Sequence, residues 1–359
     1  QTYDTGAFEA ILNQGLALAD WGGFEARAAA SAKEGKLRGL GIATFLEWTG
    51  GNVFEERVTV AIKANTALGD DGVIEIFSAV NAMGQGIATS LAQLAVDAFG
   101  VPIERVRIVL GDTDRGDGFG SAGSRSLFTG GSAVRIGAER TLDKARQLAA
   151  EEFEAAADDV VYANGVFTVA GTDLKLDLFA LARQQPESEI FMESTSAVAG
   201  PSWPNGCHIC EVEVDPATGE VSVVAYSSVN DVGRVVNPLI VRGQLEGGAV
   251  QGIGQALCEH MVYDAETGQP ITGSLMDYAA PRADIIGSMF RMEMDESTPC
   301  KNNPLGVKGV GELGTIGATP ALVNAVADAF ARNGLAKQAP HLQMPLSPMR
   351  VWQAMQVAA

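Results

Sequence analysis

The stretch Lys308-Gly309-Val310-Gly311-Glu312-Leu313-Gly314 decides how this chain is read. As a pattern, residues 309 to 314 match G-x-G-x-x-G, the dinucleotide-binding fingerprint, which has meaning only between a strand and an immediately following helix. Neither context is expected. Residues 300 to 308 are polar and broken by Pro304, and the next helix is expected to open at Thr319-Pro320, a cap-type residue and a first-turn proline. An acid inside the loop would also repel a pyrophosphate. The other reading is a bare loop presenting one carboxylate. Glycines let backbone approach a ligand closely, and Glu312, in a segment nearly devoid of other charge, is a natural proton acceptor. A purely structural turn is the plainer alternative.

The composition narrows the function classes. A chain of 359 residues buries a sizeable core and divides naturally into two domains. Hydrophobic residues make up 47 %, yet no apolar run approaches the roughly 20 residues that span a bilayer. The formal net charge of -19 argues against nucleic acid and anionic membranes as partners. No signal peptide is visible, so a cytoplasmic setting is expected. The sequence starts at Gln1 in what reads as mid-protein sequence, as a fragment or processed piece would. Glycine accounts for 42 residues, above the usual share of about 7 %, and is clustered as in ligand loops or close packing.

Cys207-His208-Ile209-Cys210 imitates a metal or redox C-x-x-C. The residues after it alternate, however, with Cys210, Val212 and Val214 on one face and Glu211, Glu213 and Asp215 on the other. Residues three apart on a strand point to opposite faces, so the two thiols should not share a metal. His208, His260 and His341 are too isolated to build a metal site, and no G-x-S-x-G elbow supports a serine triad.

Residues 1 to 36 read as a helical connecting arm, residues 37 to 200 as a first lobe and residues 201 to 359 as a second. In the first lobe, strands at 40–46, 58–63 and 73–80 are expected, the last two forming a hairpin across Gly69-Asp70-Asp71-Gly72. Asn81-Ala82-Met83-Gly84-Gln85-Gly86 then leads into a helix marked by Ile87, Leu91, Leu94 and Ala98, and 106–110 returns as a strand. A second glycine-rich loop, Gly118 to Ser126, precedes another helix with Ala138, Leu142, Ala145 and Ala149 on one face. Free N–H groups at a helix start suit an anion, and the hydroxyls and Arg125 of the second loop make it a phosphate cradle or, more plainly, a strand-to-helix turn. Residues 171 to 201 read as a connection with one short helix near 178–183.

The second lobe repeats the scheme with strands at 208–214 and 221–229, then Asp231-Val232-Gly233-Arg234, Asn237-Pro238 and Gly243-Gln244, and a helix to Leu257. Gly248 and Gly252 are four apart and bare one helical face for close packing. Gln244 is placed at the helix start, where its amide offers donors and an acceptor to a heterocycle, with a capping or core bond as the ordinary alternative.

Taken together and in order, Met83-Gly84-Gln85-Gly86, Gly123-Ser124-Arg125-Ser126, Asp231-Val232-Gly233-Arg234 with Asn237-Pro238, Gly243-Gln244 and Lys308-Gly309-Val310-Gly311-Glu312 resemble the molybdenum-binding large subunit of the xanthine dehydrogenase, aldehyde oxidase and aerobic carbon monoxide dehydrogenase family. The Gly-Ser-Arg-Ser loop and Thr2-Tyr3-Asp4-Thr5-Gly6 look closest to the carbon monoxide branch. The resemblance implies an α+β fold of two related lobes with the cofactor loops meeting between them. It implies a molybdopterin cofactor carrying molybdenum, in bacteria commonly the cytosine dinucleotide form, held without a protein ligand to the metal.

By the same resemblance Met83, Gly84, Gln85 and Gly86 would contact the pterin. Ser121, Ala122, Gly123, Ser124, Arg125 and Ser126 would cradle pterin or phosphate, Gln244 would hydrogen-bond the pterin, and Glu312 would be the base. The substrate would be small: an aldehyde, an N-heterocycle or carbon monoxide, oxidised with oxygen from water. Electrons would leave through partner subunits bearing 2Fe-2S clusters and FAD, in a complex that is a dimer overall. A full subunit of this kind is about twice as long, so an N-terminal half would complete the pocket, and this piece alone would be inactive. The competing expectation is a non-catalytic assembly or binding module that keeps the fold without the cofactor.

Overall fold

The computed structural model describes residues 2–50, 54–64, 72–285 and 290–358. Two helices come first, α1 (Phe8–Leu18) and α2 (Phe24–Lys33), joined through a tight turn at Trp21–Gly23. After β1 (Leu37–Leu46) comes a unit made of β2 (Glu55–Lys63), β3 (Val73–Ser78), α3 (Ile87–Phe99), β4 (Val106–Leu110) and α4 (Ser132–Glu152). A small sheet of β5 (Val160–Ala163), β6 (Val166–Val169) and β7 (Lys175–Asp177) follows, then α5 (Leu178–Gln184) and β8 (Glu189–Ala197). The remainder is β9 (Asn205–Val214), β10 (Val221–Asp231), α6 (Pro238–Leu257), β11 (Phe290–Asp295), α7 (Leu313–Arg332) and α8 (Pro348–Met355). The fold is α+β. None of the helices among the described residues is long and apolar enough to cross a membrane.

Two four-stranded sheets, ordered β4-β3-β2-β8 and β1-β9-β10-β11, trace the same path. In each, an antiparallel hairpin (β2 with β3, β9 with β10) is followed by a helix (α3, α6), and then by a strand parallel to the hairpin's second member (β4 beside β3, β11 beside β10). A loop and a second helix complete it. That helix lies on the sheet: α4 brings Gly137 against Val58 and Ser194, and α7 runs over β1. The loops that follow β3, β4, β10 and β11 therefore all leave the carboxyl ends of parallel strand pairs, where open sheets of this kind bind ligands.

The hairpin of β2 and β3 pairs as expected, with Val58 opposite Ser78 and Lys63 opposite Val73. Of the proposed turn, Gly69, Asp70 and Asp71 lie outside the described residues. The Asn164-Gly165 turn joins β5 to β6 with both residues at positive φ, 49° and 81°, as a two-residue hairpin loop requires.

Three expectations are corrected. β1, read as part of the first lobe, pairs along its whole length with β9, from Leu37 opposite Val214 to Leu46 opposite Asn205. Its glycines explain the choice, since a Cβ at Gly39 or Gly41 would sit 2.0 Å from the carbonyl oxygens of Ala325 or Ala321, and only bare backbone lets α7 lie so close. Residues 171 to 201 contain β7 and the nine-residue β8, which pairs with β2. Helix α7 starts at Leu313, with Pro320 inside it, instead of at Thr319. The proline forfeits one backbone bond, while Gly314 and Ala318 dock the helix onto Gly248 and Gly252 of α6.

Sheet β1-β9-β10-β11 is covered on both faces, and strand alternation sorts β9 between them. Cys207 and Ile209 pack with Ile11 and Phe24 of the first two helices, and Cys210, Val212 and Val214 pack with Ala321, Leu322 and Ala325 of α7. The two thiols point to opposite faces. Glu211 is buried and Glu213 half-buried against Arg27, Arg38 and Ser31 on the α2 side. His208 lies fully buried beneath Gly317 of α7.

Candidate functional site

Glu312 is the N-cap residue of α7, and its side chain is exposed in this chain. The glycines before it set its position. A Cβ at Gly309 would come 2.6 Å from Cβ and 2.7 Å from the carbonyl oxygen of Ser124, so only glycine allows the two loops to touch. At Gly311 a Cβ would lie 3.4 Å from Ser124 Oγ and 3.9 Å from Gln244 Oε1, in the gap between them. Behind the loop, Lys308 is locked in place: its buried ammonium donates to Asp231 Oδ2 at 2.7 Å, and its backbone N–H donates to Val232 O. Asp231 also accepts from Asn205, Thr298 and the backbone N–H of Gly233, which makes it the hub that ties the Glu312 loop to the end of β10.

The Ser124 hydroxyl lies 3.2 Å from Glu312 Oε2 and 3.1 Å from Glu47 Oε1. Ser124 adopts φ 55°, a conformation that costs a non-glycine residue energy and is retained where function demands it. Glu47, just beyond β1, was not singled out in the sequence. It is only 7 % exposed, and burial first, then the neighbouring Glu312, push its pKa up to about 8. The available signal was a lone acid ending an apolar strand immediately before Trp48-Thr49-Gly50.

The loop of residues 81–86 joins the same assembly. Asn81 N–H donates to Ser121 Oγ at 3.0 Å, Ser121 Oγ donates back to Asn81 O, and Ser126 Oγ donates to Ser121 Oγ at 2.7 Å. Gln85 is spent within its own loop, accepting from Met83 N–H and donating to Asn81 O. It shapes the turn while still lining the cavity. Met83 and Gly84 form its exposed tip, and Gly84 and Gly86 take φ of 94° and 74°. Gly86 abuts Ile240 of α6, and Asn237, the N-cap of α6, donates to Gln93 of α3 at 2.9 Å, so the starts of these two helices sit side by side.

One cavity is lined by Gln85, Ser124, Ser126, Gln244 and Gly311, drawn from both lobes, with Glu312 at its edge. Gln244 stands in the second turn of α6, which begins at Pro238 instead of at Gln244, and its amide has no hydrogen-bond partner among the described residues. Ala122 and Gly123 contribute backbone: their carbonyls accept from Arg125 N–H and Gly50 N–H.

Arg125 is corrected. Its guanidinium is fully buried, paired with Glu56 at 2.8 Å and bonded to Gly120 O, so it braces the loop from behind and offers no charge to a ligand. Two cations line the cavity: Lys308, whose buried ammonium is held by Asp231, and Arg234, which is exposed and was quoted in the sequence without a role.

A family model described as the molybdopterin cofactor-binding domain matches residues 14–287. The chain belongs to that family. Its relatives are molybdenum oxidoreductases, and the loops above make it the molybdenum-binding part of a xanthine dehydrogenase and carbon monoxide dehydrogenase type of large subunit. It is 33 % identical to the nicotine 6-hydroxylase large subunit of Paenarthrobacter nicotinovorans, over 98 % of this chain and 44 % of that one. It is 32 % identical to the carbon monoxide dehydrogenase large chain of Hydrogenophaga pseudoflava, over 98 % and 45 % respectively. Among solved structures, quinoline 2-oxidoreductase from Pseudomonas putida 86 superposes with a TM-score of 0.86 at 30 % identity, covering 100 % of this chain and 47 % of that one. The chain thus spans about half the length of the relatives it matches.

The residues present fit a molybdopterin. The unpartnered amide of Gln244, the gap at Gly311 that a Cβ would fill, and two adjacent helix starts form a cradle with donors, an acceptor and an electropositive floor.

Proposed function

We propose that this chain is the cofactor-holding C-terminal half of the large subunit of a molybdenum hydroxylase, with Glu312 as its base. One observation carries the reading: Ser124, Gln244 and Gly311, from three separate segments of two lobes, line one cavity, and Glu312, next to Gly311, accepts from the Ser124 hydroxyl. When bound, a molybdenum pterin, in its cytosine dinucleotide form, supplies the two-electron redox chemistry. Gln244 hydrogen-bonds the pterin edge, Ser126 and the backbone around Ser124 orient it, and the starts of α3 and α6 with Arg234 receive its phosphates. Glu312 accepts the proton released as a water-derived nucleophile attacks an electron-poor carbon. The bare backbone at Gly309 and Gly311 leaves room for that carboxylate beside the reacting atoms.

The N-terminal half of the subunit completes the pocket and selects among an aldehyde, an N-heterocycle and carbon monoxide. Iron-sulfur and FAD subunits carry the electrons away, in a dimer of the full complex. Cofactor analysis of the full-length protein tests the assignment. Gly311→Val, which fills the cradle, should lower molybdenum and pterin content together, whereas Glu312→Gln should retain both. Wild-type complex purified without either would mark a non-catalytic module instead.

A further inference from the structure

Glu47 has no task in the function just proposed, yet it shares a hydroxyl with the proposed base. Its carboxyl is buried where three elements meet: the end of β1, the Ser124 loop and the start of α7. The backbone around it is fixed, since Glu47 N–H donates to Pro204 O at 2.9 Å and Thr49 pairs with Ser202. The charged group facing it is Glu312, and among the described residues no lysine, arginine or histidine pairs with it.

Ser124 has one proton to give and two carboxyl groups within reach. With both acids ionised, one of them would lack a donor, and Glu47 Oε2 is a buried oxygen with no donor bonded to it. A buried carboxylate without compensation is costly. A proton on Glu47 removes that cost, and the direction of its titration agrees: burial and Glu312 raise its pKa to about 8.

We propose that Glu47 is a positioning residue, a buried carboxylic acid whose proton, with the Ser124 hydroxyl, is shared with Glu312 and keeps that carboxylate aimed at the cavity. Its catalytic consequence rests on the reading of Glu312 as the base. The shared proton does not.

Infrared difference titration of the full-length protein tests it, in wild type, Glu47→Gln and Glu312→Gln. The expected result is a protonated-carboxyl band in wild type that vanishes around pH 8. It should be lost in Glu47→Gln, and in Glu312→Gln, where the like charge is gone, it should titrate about one pH unit lower. Wild type without such a band, a band that survives in Glu47→Gln, or one unmoved in Glu312→Gln would overturn the proposal. Should Glu47→Gln not fold, the wild-type and Glu312→Gln titrations decide alone. A titration moved in Glu312→Gln alongside near-wild-type turnover of that variant supports the shared proton and sinks only the assignment of the base.

Discussion

His208 is held neutral inside the second sheet by two partners, Tyr226 Oη at 2.6 Å from Nδ1 and Asn230 Oδ1 at 2.9 Å from Nε2. Burial depresses its pKa from 6.5 to about 4. The unfolded chain therefore binds a proton below pH 6.5 that the folded chain refuses until about pH 4. Its contribution is complete above the upper value and is lost as pH falls through this window. On the order of 3 kcal/mol is at stake, and urea midpoints followed between these pH values should fall more steeply in wild type than in His208→Asn. Equal slopes would contradict the assignment. The pair of Arg125 and Glu56 is the other costly feature, with side chains 0 % and 1 % exposed. Burial raises the Glu56 pKa by more than Arg125 lowers it, so the contact repays its desolvation only in part. Arg125→Met should cost about 3–5 kcal/mol in urea unfolding, and Arg125→Met with Glu56→Leu much less. Additive losses would show that the pair is not coupled.

At the scale of elements, the contact between α6 and α7 sets the spacing of the site, because Gln244 rides on one helix and Glu312 caps the other. A Cβ at Gly314 would lie 2.4 Å from Ala249 N and Leu245 O, so Gly314→Ala must push the helices apart. The expected cost is about 1–3 kcal/mol, seen as a lower melting temperature together with weaker cofactor retention. Gly247→Ala on the facing helix α6, where an added Cβ meets nothing within 4 Å, should instead stabilise by roughly 0.5–1 kcal/mol. Identical effects of the two would contradict this packing. The Gly248 and Gly252 face was legible in the sequence because spacing along a helix is local. The start of α7 was not, because Thr319-Pro320 imitates a helix start that contact with α6 overrides. β8 escaped detection because it alternates weakly, with Glu189, Glu193, Ser194 and Thr195 masking Ile190. The partner of β1 is decided by backbone contacts with α7 that lie almost 300 residues away in sequence. Glu312 and Gln244 stood out in the sequence by their glycine settings, whereas only the fold brings Glu47 beside Ser124 and Glu312.

For the molecule as a whole, the two lobes repeat one scheme of hairpin, helix, parallel strand and helix, and the repetition brings four loops to one place. Each lobe supplies part of the cavity: Gln85, Ser124 and Ser126 from one, Gln244 and Gly311 from the other, with Glu312 bonded to Ser124 beside it. The crossing of β1 into the second sheet binds the two lobes covalently and by hydrogen bonds. A net charge of -19 is compatible with the proposed cradle, in which helix starts and amides would receive the ligand. The central claim is that Glu312 removes a proton beside the cofactor. Single-turnover rates of Glu312→Gln in the full complex, loaded with cofactor to the wild-type level, test it most directly. The account predicts a loss of at least about a hundredfold, the size of a lost general base, and a rate within a few-fold of wild type would contradict it.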